Sequence, residues 1–360
     1  MIFNNQTYLR PFSFLGENEG IVLSKTDKAI RLANGKRFFT KVEVITRKKK
    51  ISKKIYTVEN FLKIVEKKKN KVLLDSLNEL VKPRNLFKKK KLFKKKDFYI
   101  FGILNITPDS FSDGGDNLVL SKAIKTAESM SRNGSDFIDI GGESTRPGAE
   151  KVKVRDEIIR VLPMIQYLEK NRIKISLDTR NSSTMKLGLL SGVSIINDVS
   201  ALTNDSNSVR VIQEFKPPII LMHMPGTPKN MMNNTNYNNV VLDIFDYLNE
   251  RIQFCESRGI KKENIIIDPG IGFGKTSEQN LEVLKNISIF HSLGCPIMLG
   301  VSRKRFITDL YNDLAPKDRL PGSIATALNS FNQGIQIMRV HDVPETQQAL
   351  EIFNKLETRP

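Results

Sequence analysis

The sequence lacks tryptophan, has only two cysteines and three histidines, and contains no long hydrophobic run. Cys255 and Cys295 stand apart without metal-ligand spacing, which excludes a disulfide-rich secreted domain and favours a reducing, cytoplasmic compartment. The histidines form no local metal-binding cluster. No apolar stretch approaches the length that spans a bilayer, and the first residues lack a signal-peptide pattern. We therefore expect neither secretion nor a membrane partner.

Acidic residues are scarce only in the N-terminal quarter. Residues 1–97 hold 27 of the 57 basic residues and 9 of the 39 acidic ones, which accounts for the whole net charge of +18. The rest of the chain has equal numbers of basic and acidic residues. The basic character of the protein therefore belongs to its N-terminal segment alone. We therefore expect two parts, a lysine-rich segment at 1–97 and a larger domain at 98–360.

The N-terminal segment has the pattern of a small α+β unit. Residues 29–46 form two alternating stretches around an Asn-Gly turn at 34–35, which predicts a β-hairpin. Residues 57–81 have helical periodicity with Thr57 as N-cap. The lysine-rich stretch at 83–97 then predicts a linker. It is open to interpretation as a contact for nucleic acid or another anionic surface, but a solvated linker is favoured, because a lysine run supplies a field without a shaped surface.

From residue 98 onward, short apolar runs alternate with amphipathic stretches. The runs lie at 99–106, 137–140, 173–177, 194–196, 218–222, 264–267, 296–299 and 336–340. Helical patterns lie between and after them, as at 121–132, 155–169, 243–258 and 344–356. Eight strand–helix units predict an α/β fold, a closed (β/α)8 TIM barrel. A doubly wound open sheet is the alternative, although it more often has fewer strands and a glycine fingerprint after the first.

Each apolar run ends in a polar group. These groups are Asn105, Asp139, Asp178, Asn197 with Asp198, His223, Asp268, Ser302, and Arg339 with His341. A single polar strand end is explained by a turn or a helix cap, but eight in series are not. Because the carboxyl ends of barrel strands meet on one face, we expect a functional site there.

The acidic members of this set favour one kind of ligand. Asp178 and Asp268 follow strongly apolar runs, and ionised carboxylates only accept hydrogen bonds. Together with Asn197 they suit a flat heterocycle that has several N–H donors, and they are able to stabilise a transient cation. Helix capping is the alternative for either aspartate taken alone.

Basic side chains gather near other strand ends. They are Arg146, Arg303, Lys304, Arg339 and His341. Loops after the seventh and eighth strands of barrels often bind phosphate, so this group predicts a phosphate site. Ser302 is expected to begin the next helix, where its hydroxyl and nearby amides donate hydrogen bonds to a carboxylate. The GFGKT stretch at 272–276 resembles the tail of a P-loop, but Pro269 replaces the required first glycine.

A series of motifs in the second part resembles that of the dihydropteroate synthases, in order and without a gap over residues 98–360. These motifs are NITPDSFSDGG at 105–115, DIGGESTRPGA at 139–149, LDT at 177–179, IINDVSAL at 195–202, LMHMPGTP at 221–228, DPGIGFGK at 268–275, GVSRKRFI at 300–307 and RVHDV at 339–343. The resemblance implies an enzyme of folate biosynthesis and a member of a sulfonamide-target family. It would join 6-hydroxymethyl-7,8-dihydropterin pyrophosphate to p-aminobenzoate, giving 7,8-dihydropteroate and pyrophosphate.

The resemblance also implies a role for each matching residue. The catalytic and pterin-holding residues would be Asp178, Asn197, Asp268 and Lys304, with Met222, Phe273 and Gly300 lining the slot. The pyrophosphate would bind Arg146, Arg339 and His341, and p-aminobenzoate would bind Phe111, Asp113, Thr145, Pro147 and Ser302. Asn105 would bind Mg²⁺ on the leaving pyrophosphate. Two small-molecule substrates, a homodimer and no nucleic acid partner are the expected associations.

Two rival hypotheses stay open at this point. A relative that passes a methyl group from methyltetrahydrofolate to a corrinoid would share the pterin acids, but it needs neither the 105–115 loop nor the basic pair at 339 and 341. In the second hypothesis, the basic N-terminal segment carries the function, as a nucleic-acid or surface tether, and the barrel is catalytically inactive. The presence of a suitable residue at every expected catalytic position disfavours this hypothesis. Because some relatives have a pterin pyrophosphokinase upstream, residues 1–97 are also open to interpretation as its remnant, although they lack its acidic magnesium motif.

Overall fold

The first quarter of the chain forms an antiparallel sheet with helices packed on it. The computed structural model describes residues 6–68, 70–89, 91–106 and 116–357. The elements of this N-terminal unit are β1 (Gln6–Leu15), α1 (Glu17–Ser24), β2 (Ile30–Arg31), β3 (Phe38–Arg47), β4 (Ile51–Thr57), α2 (Val58–Lys68) and α3 (Lys71–Val81). Strand β3 lies between β1 on one side and β2 with β4 on the other. The apolar faces of α2 and α3 pack with those of β1 and β3 in one buried cluster.

This unit agrees with the sequence-based prediction in part. The predicted hairpin is present as β2 and β3, and Thr57 accepts a hydrogen bond from the Asn60 amide as expected of an N-cap. The single helix predicted over 57–81 is wrong, because Asn70 caps a second helix by accepting from the Leu73 amide at 3.2 Å. Strands β1 and β4 were not predicted.

The second part of the chain is a barrel of eight parallel strands. They are β5 (Tyr99–Asn105), β6 (Phe137–Gly141), β7 (Ile175–Asp178), β8 (Ile195–Asp198), β9 (Ile219–Met222), β10 (Ile265–Asp268), β11 (Met298–Leu299) and β12 (Ile337–Val340). The hydrogen-bonded order runs from β10 down to β5 and on through β12 to β11. A parallel bridge between Ile267 and Ile297 joins the two ends. The predicted closed barrel is confirmed, and the open sheet is excluded.

Helices surround the barrel and connect its strands. They are α4 (Asp116–Arg132), α5 (Val154–Lys170), α6 (Ser182–Leu190), α7 (Ser208–Phe215), α8 (Val240–Ser257), α9 (Ser277–Lys285), α10 (Arg305–Leu310), α11 (Leu320–Asn332) and α12 (Val343–Glu357). Short 3-10 turns occur at Asn85–Lys88, Met231–Asn233, Lys262–Asn264, Ile287–Leu293 and Pro316–Arg319. Within the described residues, no helix has the length and apolar character needed to cross a membrane.

The base of the barrel is closed by residues from the stretch expected to be a linker. Leu86 and Phe93 are 0% and 2% exposed and pack into the apolar layer inside the strands. The Phe93 ring lies edge-on to Tyr99 at 4.9 Å and tilted against Phe137 at 5.3 Å between centroids. The prediction of a solvated linker therefore holds only for exposed lysines such as Lys95. The stretch behaves in two ways because apolar residues interrupt its lysine runs. The apolar side chains are buried, and the lysines face water.

The N-terminal sheet also docks on the outside of the barrel, next to α8. The Arg47 guanidinium pairs with Asp243 at 2.6 Å and with Asp246 at 3.2 Å. The Tyr8 hydroxyl donates to Asp246 at 3.0 Å, and Ser288 donates its hydroxyl to the Pro11 carbonyl at 2.7 Å. Tyr8 belongs to the same buried cluster as the barrel helices. The first segment is thus attached at the side and the base, away from the strand ends that face the mouth.

We predict that Phe93→Ala destabilises the whole barrel. Removing a fully buried ring from a packed layer costs about 3–5 kcal/mol of unfolding free energy. Urea unfolding followed by circular dichroism measures this loss. Lys95→Ala, an exposed change two residues away, is the matched control and should stay within about 0.5 kcal/mol of the parent. A Phe93→Ala loss as small as that of the control would show that the layer does not support the barrel.

Candidate active site

A pocket opens at the carboxyl ends of the barrel strands. It encloses about 320 Å³ of space that is partly open to solvent. Its lining residues are Thr145, Asp178, Asn197, Val199, Met222, Asp268, Ile271, Phe273, Met298, Gly300, Lys304 and Arg339. Nine of these twelve were singled out as site residues from the sequence. The barrel brings them together because parallel strands end on one face.

Arg339 is the centre of the charge distribution in this pocket. Its Nε donates to Asp139 at 2.6 Å and one Nη donates to Asp178 at 2.7 Å. Asp139 is fully buried and also accepts from the Asn197 amide at 3.2 Å. The guanidinium therefore neutralises two carboxylates that come from β6 and β7, across the barrel mouth from β12. Both acids raise the pKa of Arg339 against the effect of burial, so it remains charged.

Asp178 combines a charged partner with strong burial. Burial raises the pKa of Asp178 to about 7, and the nearby Arg339 opposes this rise. The other carboxylates around it, Asp139 among them, add to the rise. Asp178 and Asn105 lie on either side of Gly141 in the sheet register. The side chains of both reach within 4 Å of the position that a Cβ on Gly141 would take.

Asp268 lies on the other side of the pocket, at the end of β10. Its Oδ1 accepts a hydrogen bond from the Gly270 amide at 2.7 Å, which fixes the carboxylate at the start of the following loop. Burial raises the pKa of Asp268, and the hydrogen bond from Gly270 and the charge of Lys304 oppose that rise. One oxygen is thus used locally, while the side chain as a whole faces the pocket.

Lys304 and Phe273 form a third wall. The Lys304 ammonium lies 4.2 Å from the centre of the Phe273 ring, a cation–π arrangement that holds both side chains in place. Burial lowers the pKa of Lys304 to about 8, with the nearby Arg339 acting in the same direction. Met222 and Gly300 complete the apolar lining beside them. Apolar walls with a few polar groups at their edges are the usual composition of a site for a small organic ligand.

Ser302 and His341, which are expected at the carboxylate and phosphate positions, do not line the pocket. Ser302 is buried, and its hydroxyl lies 3.1 Å from His341 Nδ1 and accepts from the His341 amide at 3.2 Å. Burial lowers the pKa of His341 to about 3, with the charge of Arg339 acting in the same direction, so the ring is neutral. The expectation that Ser302 begins the next helix is wrong, because the N-cap of α10 is Lys304.

The loop after β6 reaches over the pocket. Thr145 lines the pocket itself, whereas Arg146 and Pro147 are exposed to solvent. The loop is held to the loop after β9, because the Gly148 amide donates to the Pro228 carbonyl at 2.9 Å. Of the other expected loop residues, Phe111 and Asp113 lie outside the described part of the chain.

The donors available for a metal ion are few. Among the described residues, no group of three or more His, Cys, Asp or Glu side chains is placed to hold one. Asn105 offers one amide oxygen at the end of β5, beside Asp178. Mg²⁺ prefers oxygen ligands, keeps several waters and is commonly bound through one or two protein groups plus substrate phosphates. This donor set therefore fits a magnesium ion that enters with a phosphate ligand.

Sequence reasoning missed part of the pocket. Asp139 was noted as a polar strand end but received no role, although it is the strongest partner of Arg339. The signal that identifies it is its burial within an apolar strand, since a buried carboxylate needs a cation nearby. Val199, Ile271 and Met298 were also missed. Apolar lining residues have no chemical signature in the sequence, so only the fold reveals them.

Comparison with known proteins agrees with this geometry. A family model described as pterin binding enzyme matches residues 101–341, which excludes the N-terminal sheet. A dihydropteroate synthase of Synechocystis is 40% identical over 284 residues, 79% of this chain and 98% of that protein. The dihydropteroate synthase of Escherichia coli K12 is 41% identical over 255 residues, covering 71% of this chain and 90% of its own.

Solved structures give the same result. A Yersinia pestis dihydropteroate synthase in complex with a sulfonamide drug has a TM-score of 0.69 at 37% identity, covering 73% of this chain and 95% of that one. The Xanthomonas albilineans enzyme in complex with 7,8-dihydropteroate has a TM-score of 0.67 at 35% identity, covering 73% and 95%. On its sequence identity, its fold and its pocket, the chain belongs to the dihydropteroate synthase family of pterin-binding enzymes, which act in folate biosynthesis.

Proposed function

We propose that the pocket binds 6-hydroxymethyl-7,8-dihydropterin pyrophosphate and that the chain joins it to p-aminobenzoate. The observation that supports this most strongly is the pair of buried carboxylates, Asp178 and Asp268, in the lining of one pocket. A pterin ring presents several N–H donors along its edge, and ionised carboxylates are their natural acceptors. The carbonyl of the ring is the matching acceptor for the Lys304 ammonium.

The pterin is held at its edge by polar groups and on its faces by apolar ones. Asp178, Asn197 and Asp268 bind its polar edge in this proposal, and Lys304 reaches the ring from above Phe273. Met222 and Gly300 complete the slot. The buried carboxylates give specificity, because a ring without matching N–H donors would leave them unpaired.

The reaction starts with cleavage of the bond between the pterin methylene carbon and the pyrophosphate oxygen. The bonding electron pair leaves with pyrophosphate, and the positive charge spreads over the pterin. The nitrogen lone pair of p-aminobenzoate then forms the new C–N bond, and that nitrogen loses one proton to solvent or phosphate. The carboxylates of Asp178 and Asp268 stabilise the cation, and basic groups at the mouth stabilise the departing anion.

Arg146, Arg339 and His341 are proposed to bind the pyrophosphate. Arg146 is exposed on its loop and is able to turn toward an anion. The Nε and one Nη of Arg339 are occupied by carboxylates, so its share in the anion site falls to the other Nη. Asn105 is proposed to hold Mg²⁺, which supplies positive charge to the phosphate oxygens when it is bound.

p-Aminobenzoate is proposed to bind at the mouth of the barrel, where Thr145 lines the pocket. Phe111, Asp113, Thr145 and Pro147 are the loop residues in this proposal, and Ser302 binds the carboxylate. The Ser302 hydroxyl is paired with His341 in the structure, so the carboxylate must compete with that ring. We further propose that residues 98–360 are the catalytic domain, that 1–97 form its structural base, and that the protein is a cytoplasmic homodimer.

The test of this function is product formation by the purified full-length chain. We expect 7,8-dihydropteroate and one equivalent of pyrophosphate when both substrates and Mg²⁺ are supplied. Chromatography of the pteroate and a coupled pyrophosphate assay measure the two products. Methyltetrahydrofolate with a corrinoid acceptor is the control for the methyl-transfer alternative. Folded protein that forms no dihydropteroate above background would refute the assignment.

Asp268→Asn tests the role of one carboxylate. The amide keeps the size of the side chain and its acceptor for Gly270 but loses the charge, so we expect about 10–100-fold weaker pterin binding. Calorimetric titration with 6-hydroxymethylpterin measures the loss. Asp205→Asn is the matched control, because Asp205 likewise accepts from the amide two residues on, at 2.9 Å, but lies outside the pocket. Equal affinities for the two variants would remove Asp268 from the site.

The shifted pKa values of Asp178 and Lys304 predict a bell-shaped pH dependence of kcat/KM. Raising the pH through about 7 ionises Asp178 and strengthens pterin binding. Raising it through about 8 removes the charge of Lys304 and weakens binding. We expect kcat/KM for the pterin substrate to be highest between these values, with apparent pKa values that belong to the coupled cluster. Asp178→Asn should lose the acidic limb alone, and a parent profile that is flat from about pH 6 to 9 would contradict this reading.

A further inference from the structure

The loop after β10 is wound around a buried lysine. Residues 268–275 have the sequence DPGIGFGK, with positive φ at Gly270, Gly272 and Gly274. A side chain at Gly270 would place its Cβ 2.0 Å from the His223 carbonyl oxygen, so only glycine fits there. The loop ends at Lys275, which is 3% exposed. Burial lowers the pKa of its amine to about 7, and the charge of Asp268 opposes this fall.

All three ammonium protons of Lys275 have an acceptor. Its Nζ donates to the Gly270 carbonyl at 2.8 Å and to the Phe273 carbonyl at 2.9 Å, and it lies 3.0 Å from His223 Nδ1. Burial lowers the pKa of His223 well below its usual value, so the ring is neutral and its Nδ1 is able to accept. Three donors matched by three acceptors are the arrangement that a buried ammonium requires.

This arrangement is the reverse of a phosphate-binding loop. In a P-loop the backbone amides point inward to the phosphate, and the lysine extends toward the same ligand. Here two backbone carbonyls point inward, and the lysine supplies the cation that they surround. The resemblance of residues 272–276 to a P-loop therefore reflects a glycine-rich turn that coils tightly around its own lysine.

Residues 269–274, the coil around Lys275, form one side of the pocket. Ile271 and Phe273, which lie within it, both line the pocket, and the Phe273 ring supports the Lys304 ammonium at 4.2 Å. Its first glycine, Gly270, donates the hydrogen bond that fixes the Asp268 carboxylate. The position of three pocket side chains thus depends on how this loop is held. Lys275 itself does not line the pocket.

We propose that Lys275 is a positioning residue for the reaction, which holds residues 269–274 as one wall of the pterin slot. The proposal rests on the function proposed above, since it takes the slot to be the pterin site. Lys275 acts through Gly270 and Phe273 and touches no substrate. Its removal frees the two carbonyls, loosens the coil and shifts Asp268 and Phe273 together.

Lys275→Met tests this role, because methionine has a similar length and suits a buried position. We expect calorimetric titration to show at least about tenfold weaker binding of 6-hydroxymethylpterin, since small misplacements of binding groups have large effects. KM for p-aminobenzoate should stay within about twofold of the parent, since no hydrogen bond among the described residues joins residues 269–275 to Thr145 or Ser302. This split separates positioning from a general loss of structure.

Arg84→Met is the matched control. Arg84 is another buried cation that holds backbone carbonyls, those of Glu79, Lys82 and His291 at 2.9, 3.1 and 2.9 Å, but it belongs to the N-terminal segment and is not part of the pocket. Both variants should lower the urea midpoint, and only Lys275→Met should weaken pterin binding. Pterin binding that is equal in the two variants, with active parent protein, would overturn the proposal. Parent protein without activity would instead refute the proposed function.

Discussion

The Arg339 guanidinium makes the acidic mouth of this barrel possible. Asp139 and Asp178 are both buried, and two unpaired carboxylates in such a place would be protonated or would open the fold. Arg339 bonds to these two carboxylates at 2.6 and 2.7 Å, and its positive charge compensates for their burial. Because Arg339 comes from the last strand and the acids come from the second and third of the barrel, this contact depends on the pairing of β12 with β5. The same pairing sets how much of the positive charge is left for an anionic substrate.

In the rest of the molecule, the residues that stabilise the fold lie at the base and side of the barrel, and the pocket lies at its mouth. At the base, Leu86 and Phe93 fill the barrel from below, and the N-terminal sheet is tied to α8 through Arg47. At the mouth, the walls are made of loops that begin at the ends of strands, one of them coiled around Lys275. Buried amine and guanidinium groups hold backbone carbonyls in both places. The chain thus fixes irregular backbone with buried basic side chains.

Strong periodicity made the barrel predictable, and every strand end fell within two residues of its expected position. The polar strand ends were predictable for the same reason, because a parallel barrel brings them to one face. The features that could not be predicted from the sequence depend on tertiary contacts. Strand β4 is rich in lysine and is formed by pairing with β3, and the burial of Phe93 depends on a barrel layer remote in sequence. The role of Asp139 required knowing that Arg339 reaches it from the last strand.

The proposed function requires that the pterin lies between the two buried carboxylates. A crystal structure of the protein with 6-hydroxymethylpterin tests this directly. We expect the ring inside the strand mouth, with its N–H edge within hydrogen-bonding distance of Asp178 and Asp268 and one face near Phe273. A ring bound outside the mouth, or bound with neither carboxylate as a partner, would contradict the account.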